Sequence, residues 1–287
     1  TEEIAQVIAQ DNIETATTEA DYTEWLTAPR KLSKPGDLAP AVVIEVQAQS
    51  ATALLANGDA IEIAWQNGLR GKRPYVTVSR LGPSPKQASD VVAIGDVIRV
   101  QQQSDSSWYL TQLPAAQAAL VSLDADNGAI LSLVGGFDYG QSKFNRITQA
   151  TRQPGSNFKP FVYTAALANG YTPASTINDA PIVFEDASLE STWRPTNDGG
   201  KFYGPTRLRH ALFKSRNLVS IRLLRGLGIS KAIHYVEKFG FNASQLPRDL
   251  SLALGSHSLS PLEIVSGYSV LANGGYSVEP FLIQRID

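Results

Sequence analysis

Apolar and polar positions follow distinct patterns in different parts of this chain of 287 residues. Near the start, Ile4, Ile8 and Ile13 recur at a rough helical spacing among acidic residues, which predicts a helical lead-in and linker over 1–39. Over 40–113, short runs alternate between apolar and polar residues and are separated by turn residues. Alternation of this kind is typical of short strands, so we predict a small closed or partly closed β-barrel there.

The predicted strands of the barrel are 41–48, 52–56, 60–65, 75–80, 91–101 and 107–112. After Pro114 the pattern changes to two apolar strands, 118–124 and 129–134, joined by the turn sequence Ala125-Asp126-Asn127-Gly128. Apolar residues then fall at helical spacing, with glycines near the helix ends, over 156–169, 206–214, 217–227, 230–239 and 261–273. Strands followed by helices predict an α+β fold for 114–287.

Charge argues against a nucleic-acid partner. Lysine and arginine number 25, aspartate and glutamate 27, and the net charge is only −2. The predicted barrel has the size and strand count of oligonucleotide/oligosaccharide-binding (OB) barrels, but its acidic residues equal its basic ones in number. Nucleic-acid binding normally requires a basic groove with stacking aromatics. We therefore expect no nucleic acid, and a spacer or partner-docking role for the barrel.

Composition also narrows the chemistry. The chain has no cysteine, which excludes disulfides, thiol nucleophiles and zinc–thiolate sites. His210, His234 and His257 lie far apart and in no metal-ligand spacing, so we expect no metal and no cofactor. Each histidine is interpreted as structural, with a histidine-based triad as the alternative.

Three features of the sequence bear on whether this chain is a whole gene product. Thr1 stands at the first position, no methionine occurs, and no apolar run is long enough to cross a bilayer. We expect this sequence to be part of a longer gene product.

Ser156 and Lys159 are the first candidate catalytic residues. Pro154-Gly155 predicts a turn, after which Ser156 opens a helix and Lys159 lies three residues further on the same face. A hydroxyl and an amine at the positive end of a helix dipole suit nucleophilic catalysis, because a dry site lowers the pKa of the amine and lets it act as a base. The same letters also fit an N-cap serine followed by a solvated lysine.

Ser215-Arg216-Asn217 is the second candidate element. It lies at a predicted break between two helices, where a hydroxyl and an amide two residues apart can point the same way. The hydroxyl could relay a proton to a leaving amine, and the amide could bind the lysine or the substrate backbone. Helix capping by serine and asparagine is the alternative interpretation.

S-x-x-K, S-D-N and K-T-G form the motif set of β-lactamases and penicillin-binding proteins. The first element matches S-x-x-K, and the second resembles the middle motif in the looser form S-x-N. Longer stretches resemble the class A, bifunctional penicillin-binding proteins specifically: FNRITQATRQPGSNFKPFVYTAAL (144–167), WRPTND (193–198), FYGPTRLRHALFKSRNLVSIRLL (202–224) and LALGSHSLSPLEIVSGYSVLANGGY (252–276). GAILSLVGG (128–136) resembles the start of the family's central antiparallel sheet, and 40–113 the barrel that some Gram-negative members insert before it.

This resemblance implies a penicillin-binding transpeptidase fold, an antiparallel sheet with a helical lobe, next to a small OB-like β-barrel. It implies that Ser156 is the acylated nucleophile, Lys159 its base, Ser215 the proton relay and Asn217 a partner of substrate and lysine. The backbone N–H of Ser156 would be one oxyanion donor. No cofactor is implied, and the location would be the periplasmic face of the inner membrane.

One departure from the family pattern matters most. It contains no K-T-G triplet, which in the family lies on the strand flanking the cleft and supplies the second oxyanion donor. The family's glycosyltransferase domain and membrane anchor have no counterpart in the sequence either. We expect a companion chain or a C-terminal segment to complete the domain, and we expect the fragment alone to be inactive.

The implied activity is a D,D-transpeptidase that cross-links peptidoglycan stem peptides, with D-Ala–D-Ala donors, amine acceptors and β-lactams as covalent inhibitors. A D,D-carboxypeptidase or β-lactamase would use water in place of the amine. The β-lactamase is disfavoured because the candidate carboxylates Glu185, Asp186 and Glu190 lack suitable surroundings. A non-catalytic β-lactam sensor or interaction module is the alternative of a different class.

Overall fold

The computed structural model describes residues 27–182 and 193–286, which fall into two compact units. One contains the residues up to Ala116 together with Asp138–Lys143, and the other contains Gln117–Phe137 and the residues from Phe144 onward. The domain boundaries predicted after residues 39 and 113 stay predictions. Of the predicted helical lead-in and linker over 1–39, residues 27–31 are helical, 32–38 are not, and 1–26 lie outside the described residues. Within the described ranges, no helix has the length and apolar character to cross a bilayer.

The first unit is built on a five-stranded antiparallel sheet. Its strands are β1 (Ala39–Val46), β2 (Ser50–Leu55), β3 (Ala60–Ala64), β6 (Val97–Gln102) and β7 (Trp108–Thr111). Across the sheet they follow the order β3-β2-β1-β6-β7. In β3, Ile61 and Ile63 are buried and Glu62 between them is exposed, as the alternation of the sequence predicts. Most of the buried side chains of these strands form one apolar core.

A tight turn brings the two edge strands of this sheet close together. Residues Trp65–Leu69 follow β3 and include Gly68 with φ +97°. A Cβ at Gly68 would lie 2.5 Å from the backbone oxygen of Leu110 on β7. Only glycine permits both this φ and this approach, so Gly68 allows the sheet to curl toward a barrel.

Two predicted barrel strands are wrong in extent. The segment 75–80 forms β4 (Tyr75–Thr77) and β5 (Arg80–Leu81), which pair with each other outside the main sheet. Val76 and Val78 are exposed, so the apolar positions of this alternating segment do not pack against a core. In 91–101 only the part from Val97 onward is a strand, because the chain first makes a turn at Gly95, whose φ is +89°.

The second unit opens with the predicted hairpin and continues with helices around a large apolar core. The hairpin consists of β8 (Leu120–Leu123) and β9 (Ile130–Val134). A second antiparallel pair is β10 (Thr176–Asp179) and β11 (Gly204–Arg207). The helices are α1 (Lys159–Leu167), α2 (Leu208–Phe213), α3 (Asn217–Leu227), α4 (Ile229–Val236) and α5 (Pro261–Ala272).

Two predicted helices begin later than expected. The helix predicted over 156–169 starts with a 3₁₀ turn, Gly155–Phe158, and becomes α-helical at Lys159. The helix predicted from 206 begins at Leu208, because Gly204–Arg207 pairs with β10. Glu185, Asp186 and Glu190, the carboxylates weighed for a β-lactamase, lie outside the described residues.

Candidate active site

The turn Gly155–Phe158 places Ser156 and Lys159 on one side of the chain. In a 3₁₀ turn, side chains three residues apart eclipse each other, which brings these two residues into line. Ser156 is exposed, whereas Lys159 is 1% exposed. Pro160 follows at the second position of α1, where a missing N–H costs little. The sequence therefore positions an exposed hydroxyl one turn ahead of a buried amine.

Three acceptors surround the amine of Lys159. Its Nζ donates to the backbone oxygen of Ser215 at 2.8 Å, to Ser215 Oγ at 2.9 Å and to Asn217 Oδ1 at 2.7 Å. The structure thus brings three of the four predicted site residues into direct contact. Ser156 lies in the turn immediately before Lys159, with the backbone N–H of Lys159 bonded to its carbonyl oxygen.

Burial governs the protonation of this amine. Desolvation lowers the pKa of Lys159 from 10.5 to about 8. The acceptors that hold it are a carbonyl, a hydroxyl and an amide, and not a carboxylate that would restore the charged form. A substantial fraction of the amine is therefore neutral a little above neutral pH, which a general base requires.

Ser215 has an unusual backbone conformation. Its φ is +52°, in the left-handed region that non-glycine residues seldom adopt. The N–H of Ser215 donates to Leu212 and that of Arg216 donates to Ala211, which is the Schellman pattern that ends α2. Glycine usually occupies this position, and a serine there points both its carbonyl and its hydroxyl at Lys159. Strain of this kind is often found at functional sites.

Asn217 is held in place by a residue that the sequence reasoning did not select. The side-chain oxygen of Asn197 accepts the backbone N–H of Asn217 at 2.9 Å and that of Leu218 at 3.3 Å. It therefore caps the first turn of α3, whose N-cap residue Arg216 provides no side-chain cap. Asn217 Nδ2 donates to the carbonyl of Thr196 at 2.9 Å. This bond and the bond from Lys159 to Oδ1 together fix the orientation of the Asn217 side-chain amide.

Asp179 extends this support into the core. Its carboxylate is fully buried, and its Oδ1 accepts from Asn197 Nδ2 at 2.7 Å. Its Oδ2 lies 3.9 Å from Nε of Arg216, whose guanidinium stacks 3.5 Å from the ring centre of Tyr203. Asn197 belongs to WRPTND, so the only sequence signal for it was that resemblance. Asp179, at the end of β10, had no local signal.

The histidines take no part in this arrangement. His210 and His234 are exposed. His257 is buried edge-on against Phe158, with ring centroids 4.3 Å apart, and its two nitrogens have no hydrogen-bond partner among the described residues. Burial lowers the pKa of His257, and the nearby Glu263 opposes this effect. Among the described residues no group of three or more histidines or carboxylates could hold a metal ion.

Comparison with known proteins assigns the two parts of the chain. The model of the penicillin-binding protein OB-like domain matches residues 9–116, and that of the penicillin binding protein transpeptidase domain matches 118–287. Penicillin-binding protein 1A of Pseudomonas aeruginosa is 51% identical over 263 residues, which is 92% of this chain and 32% of that protein. Penicillin-binding protein 1A of Escherichia coli is 46% identical over 252 residues, 88% of this chain and 29% of that protein.

Solved structures agree with this assignment. The crystal structure of penicillin-binding protein 1A from Haemophilus influenzae superimposes with a TM-score of 0.80 at 36% identity, covering 96% of this chain and 38% of that one. The PonA1 protein from Mycobacterium tuberculosis in complex with penicillin V gives a TM-score of 0.50 at 25% identity, covering 58% of this chain and 47% of that one.

The chain spans about a third of the length of the curated relatives it matches. The predicted fold class, a penicillin-binding transpeptidase fold together with an OB-like barrel, is confirmed. The chain belongs to the penicillin-binding protein transpeptidase family, with an OB-like domain ahead of its transpeptidase region.

Proposed function

We propose that this chain carries the acylation centre of a D,D-transpeptidase, which cross-links peptidoglycan stem peptides at the periplasmic face of the inner membrane and is inhibited covalently by β-lactams. The observation that supports this most strongly is the desolvated amine of Lys159, held by Ser215 and Asn217 three residues after an exposed serine. The family and its relatives named penicillin-binding protein 1A agree with the proposal.

In the proposed reaction, Ser156 Oγ attacks the carbonyl carbon of the D-Ala–D-Ala bond while its proton passes to the neutral amine of Lys159. The carbonyl oxygen becomes an oxyanion, and the backbone N–H of Ser156 donates to it. Collapse of this intermediate breaks the C–N bond, and Ser215 relays the proton from Lys159 to the departing D-Ala amine. An acceptor amine then attacks the ester carbonyl of the acyl-enzyme, and its proton passes through Ser215 to Lys159. The C–O bond to Ser156 breaks, and Ser156 Oγ takes the proton back from Lys159.

The hydrogen bonds of Lys159 suit both protonation states. A charged ammonium has three protons, and three acceptors surround it. In the neutral amine, the two remaining N–H groups can stay hydrogen-bonded to the carbonyl of Ser215 and to Asn217 Oδ1. The lone pair then faces the hydroxyl of Ser215, which can donate to it. A proton could thus enter and leave with little rearrangement of the surrounding groups.

A two-substrate assay on the full-length protein tests the function. We expect labelling by a fluorescent penicillin and, with stem pentapeptide, release of D-Ala together with a cross-linked product when an acceptor amine is present. The matched control omits the acceptor. Release of D-Ala with hydrolysed tetrapeptide as the only product would indicate a carboxypeptidase, and labelling without any D-Ala release would indicate a sensor. Either result contradicts the transpeptidase.

Two substitutions of Ser215 separate the effect of its backbone strain on stability from the effect of its hydroxyl on the acylation rate. Ser215→Gly and Ser215→Ala both remove the hydroxyl, but only glycine relieves the left-handed backbone, which costs about 1 kcal/mol for other residues. If the hydroxyl relays a proton, both variants should acylate about 10²-fold more slowly, measured by stopped-flow with a chromogenic β-lactam. The glycine variant should melt at a higher temperature than the alanine variant.

The two variants serve as controls for each other. A slow but stable glycine variant excludes loss of folding as the cause of the lost rate. Full acylation activity of Ser215→Gly would contradict the relay and leave Ser215 with a structural role only.

A further inference from the structure

The turn that contains Ser156 is hydrogen-bonded to the segment 255–268. The backbone N–H of Gly155 donates to the carbonyl of Gly255 at 3.1 Å. Arg152 and Leu259 exchange two backbone hydrogen bonds, of 2.9 and 3.0 Å. Gly255 has φ +64°, and a Cβ there would overlap the backbone of Gly155. The two chain segments are therefore in contact at the residue directly before Ser156.

On the other side of Ser156, the carbonyl of Asn157 receives a side-chain donor. In a 3₁₀ turn this carbonyl would accept from the N–H of the residue three positions later, but that residue is Pro160, which has no N–H. The hydroxyl of Tyr268 on α5 donates to Asn157 O at 2.8 Å. Tyr268 thus supplies, from 111 residues away in sequence, a donor that the turn itself lacks.

Tyr268 is well placed to hold that carbonyl. Its ring packs edge-on against Phe161 of α1, with centroids 5.2 Å apart. The preceding Gly267 lets α5 approach closely, since a Cβ there would lie 2.7 Å from the ring of Phe241 and 3.1 Å from that of Phe161. Burial raises the pKa of Tyr268, so its hydroxyl stays a donor throughout the range in which Lys159 titrates.

We propose that Tyr268 is a positioning residue for the acylation step, acting through the carbonyl of Asn157 on the orientation of Ser156. Its bond and that of Gly255 hold the 157–158 and 154–155 peptide groups, each one peptide group removed from those that flank Ser156. They thereby restrict movement of the short turn that directs Ser156 Oγ and its N–H. The role rests on the proposed function of Ser156. Displacement of a reacting group by about 1 Å can lower a rate about 10²-fold, so losing the Tyr268 bond while the backbone bonds remain should have a clear but smaller effect.

Tyr268→Phe in the full-length protein tests this role, because it removes one hydroxyl and keeps the ring. Acylation by a chromogenic β-lactam is followed by stopped-flow, which separates the Kd of the initial complex from the first-order acylation constant. We expect the acylation constant to fall about 10-fold. We expect the Kd, the final stoichiometry of labelling and the pH at which the rate rises to stay unchanged. Tyr235→Phe, a half-buried tyrosine of the same core, is the matched control and should acylate as the unaltered protein does.

Two results would overturn the role. One is an unchanged acylation constant in Tyr268→Phe. The other is a reduced stoichiometry with an unchanged rate constant in the labelled fraction, which is the result that a purely structural role predicts. Mass spectrometry of the acylated peptide from the unaltered protein tests the underlying assignment separately. If the label lies on a residue other than Ser156, the proposed nucleophile fails, and the positioning role fails with it.

Discussion

Replacing Ser156 by alanine is expected to abolish covalent labelling of the full-length protein by a fluorescent penicillin. The proposed acyl-enzyme requires a hydroxyl at this position, and no variant lacking it can form the ester. The side chain of Ser156 is exposed, so its truncation should leave the folded protein intact. Gel fluorescence and intact mass report the covalent adduct, and a thermal melt reports the fold.

Ser230 offers a matched control for this experiment. It is an exposed serine on α4 of the same unit, and Ser230→Ala should be labelled to the same extent as the unaltered protein. Labelling of Ser156→Ala at the stoichiometry of the unaltered protein would place the nucleophile elsewhere and contradict the proposed mechanism.

Replacing Lys159 by methionine is expected to lower the acylation rate by about 10²- to 10⁴-fold, which is the range for loss of a general base. Methionine keeps much of the volume of the buried side chain but removes the amine that Ser215 and Asn217 hold. Stopped-flow with a chromogenic β-lactam measures the rate. Lys231→Met, at an exposed lysine on α4, is the control and should have no effect.

The pH dependence gives the second half of this prediction. Because the base must be neutral, the acylation rate of the unaltered protein should rise with pH through about 8, the lowered pKa of Lys159. In Lys159→Met this rise should be absent. A rate that stays constant between about pH 6 and 9 in the unaltered protein would contradict Lys159 as the base.

The lowered pKa of Lys159 also makes the stability of the protein depend on pH, in a direction that follows from proton linkage. Lys159 has a pKa of about 8 when folded, against 10.5 for the ordinary side chain. Between these values the unfolded chain binds more protons than the folded one, so the contribution of Lys159 to the free energy of unfolding rises with pH. Below the folded pKa, the cost of burying the charged amine is present in full.

Elements with strong local signals were predictable from the sequence. The hairpin β8–β9 has apolar strands and an Asp-Asn-Gly turn, and α3 begins and ends at the predicted residues, 217 and 227. The segment 75–80 was not predictable, because its alternation is the same whether or not a core lies beneath it. Val78, which is fully exposed, shows that alternation by itself does not bury a strand.

At the candidate site, the residue types, their spacing and the family resemblance could all be read from the sequence. Ser156 and Lys159 lie within one turn, so their alignment depends mainly on local backbone geometry. The desolvation of Lys159, the left-handed backbone of Ser215 and the capping of α3 by Asn197 depend on the packing of the folded chain and had no local signal in the sequence. Asp179 and Tyr268 likewise reach the site from distant elements. The physical reason is that burial and contacts between distant residues depend on how whole elements pack, and no short stretch of sequence contains that information.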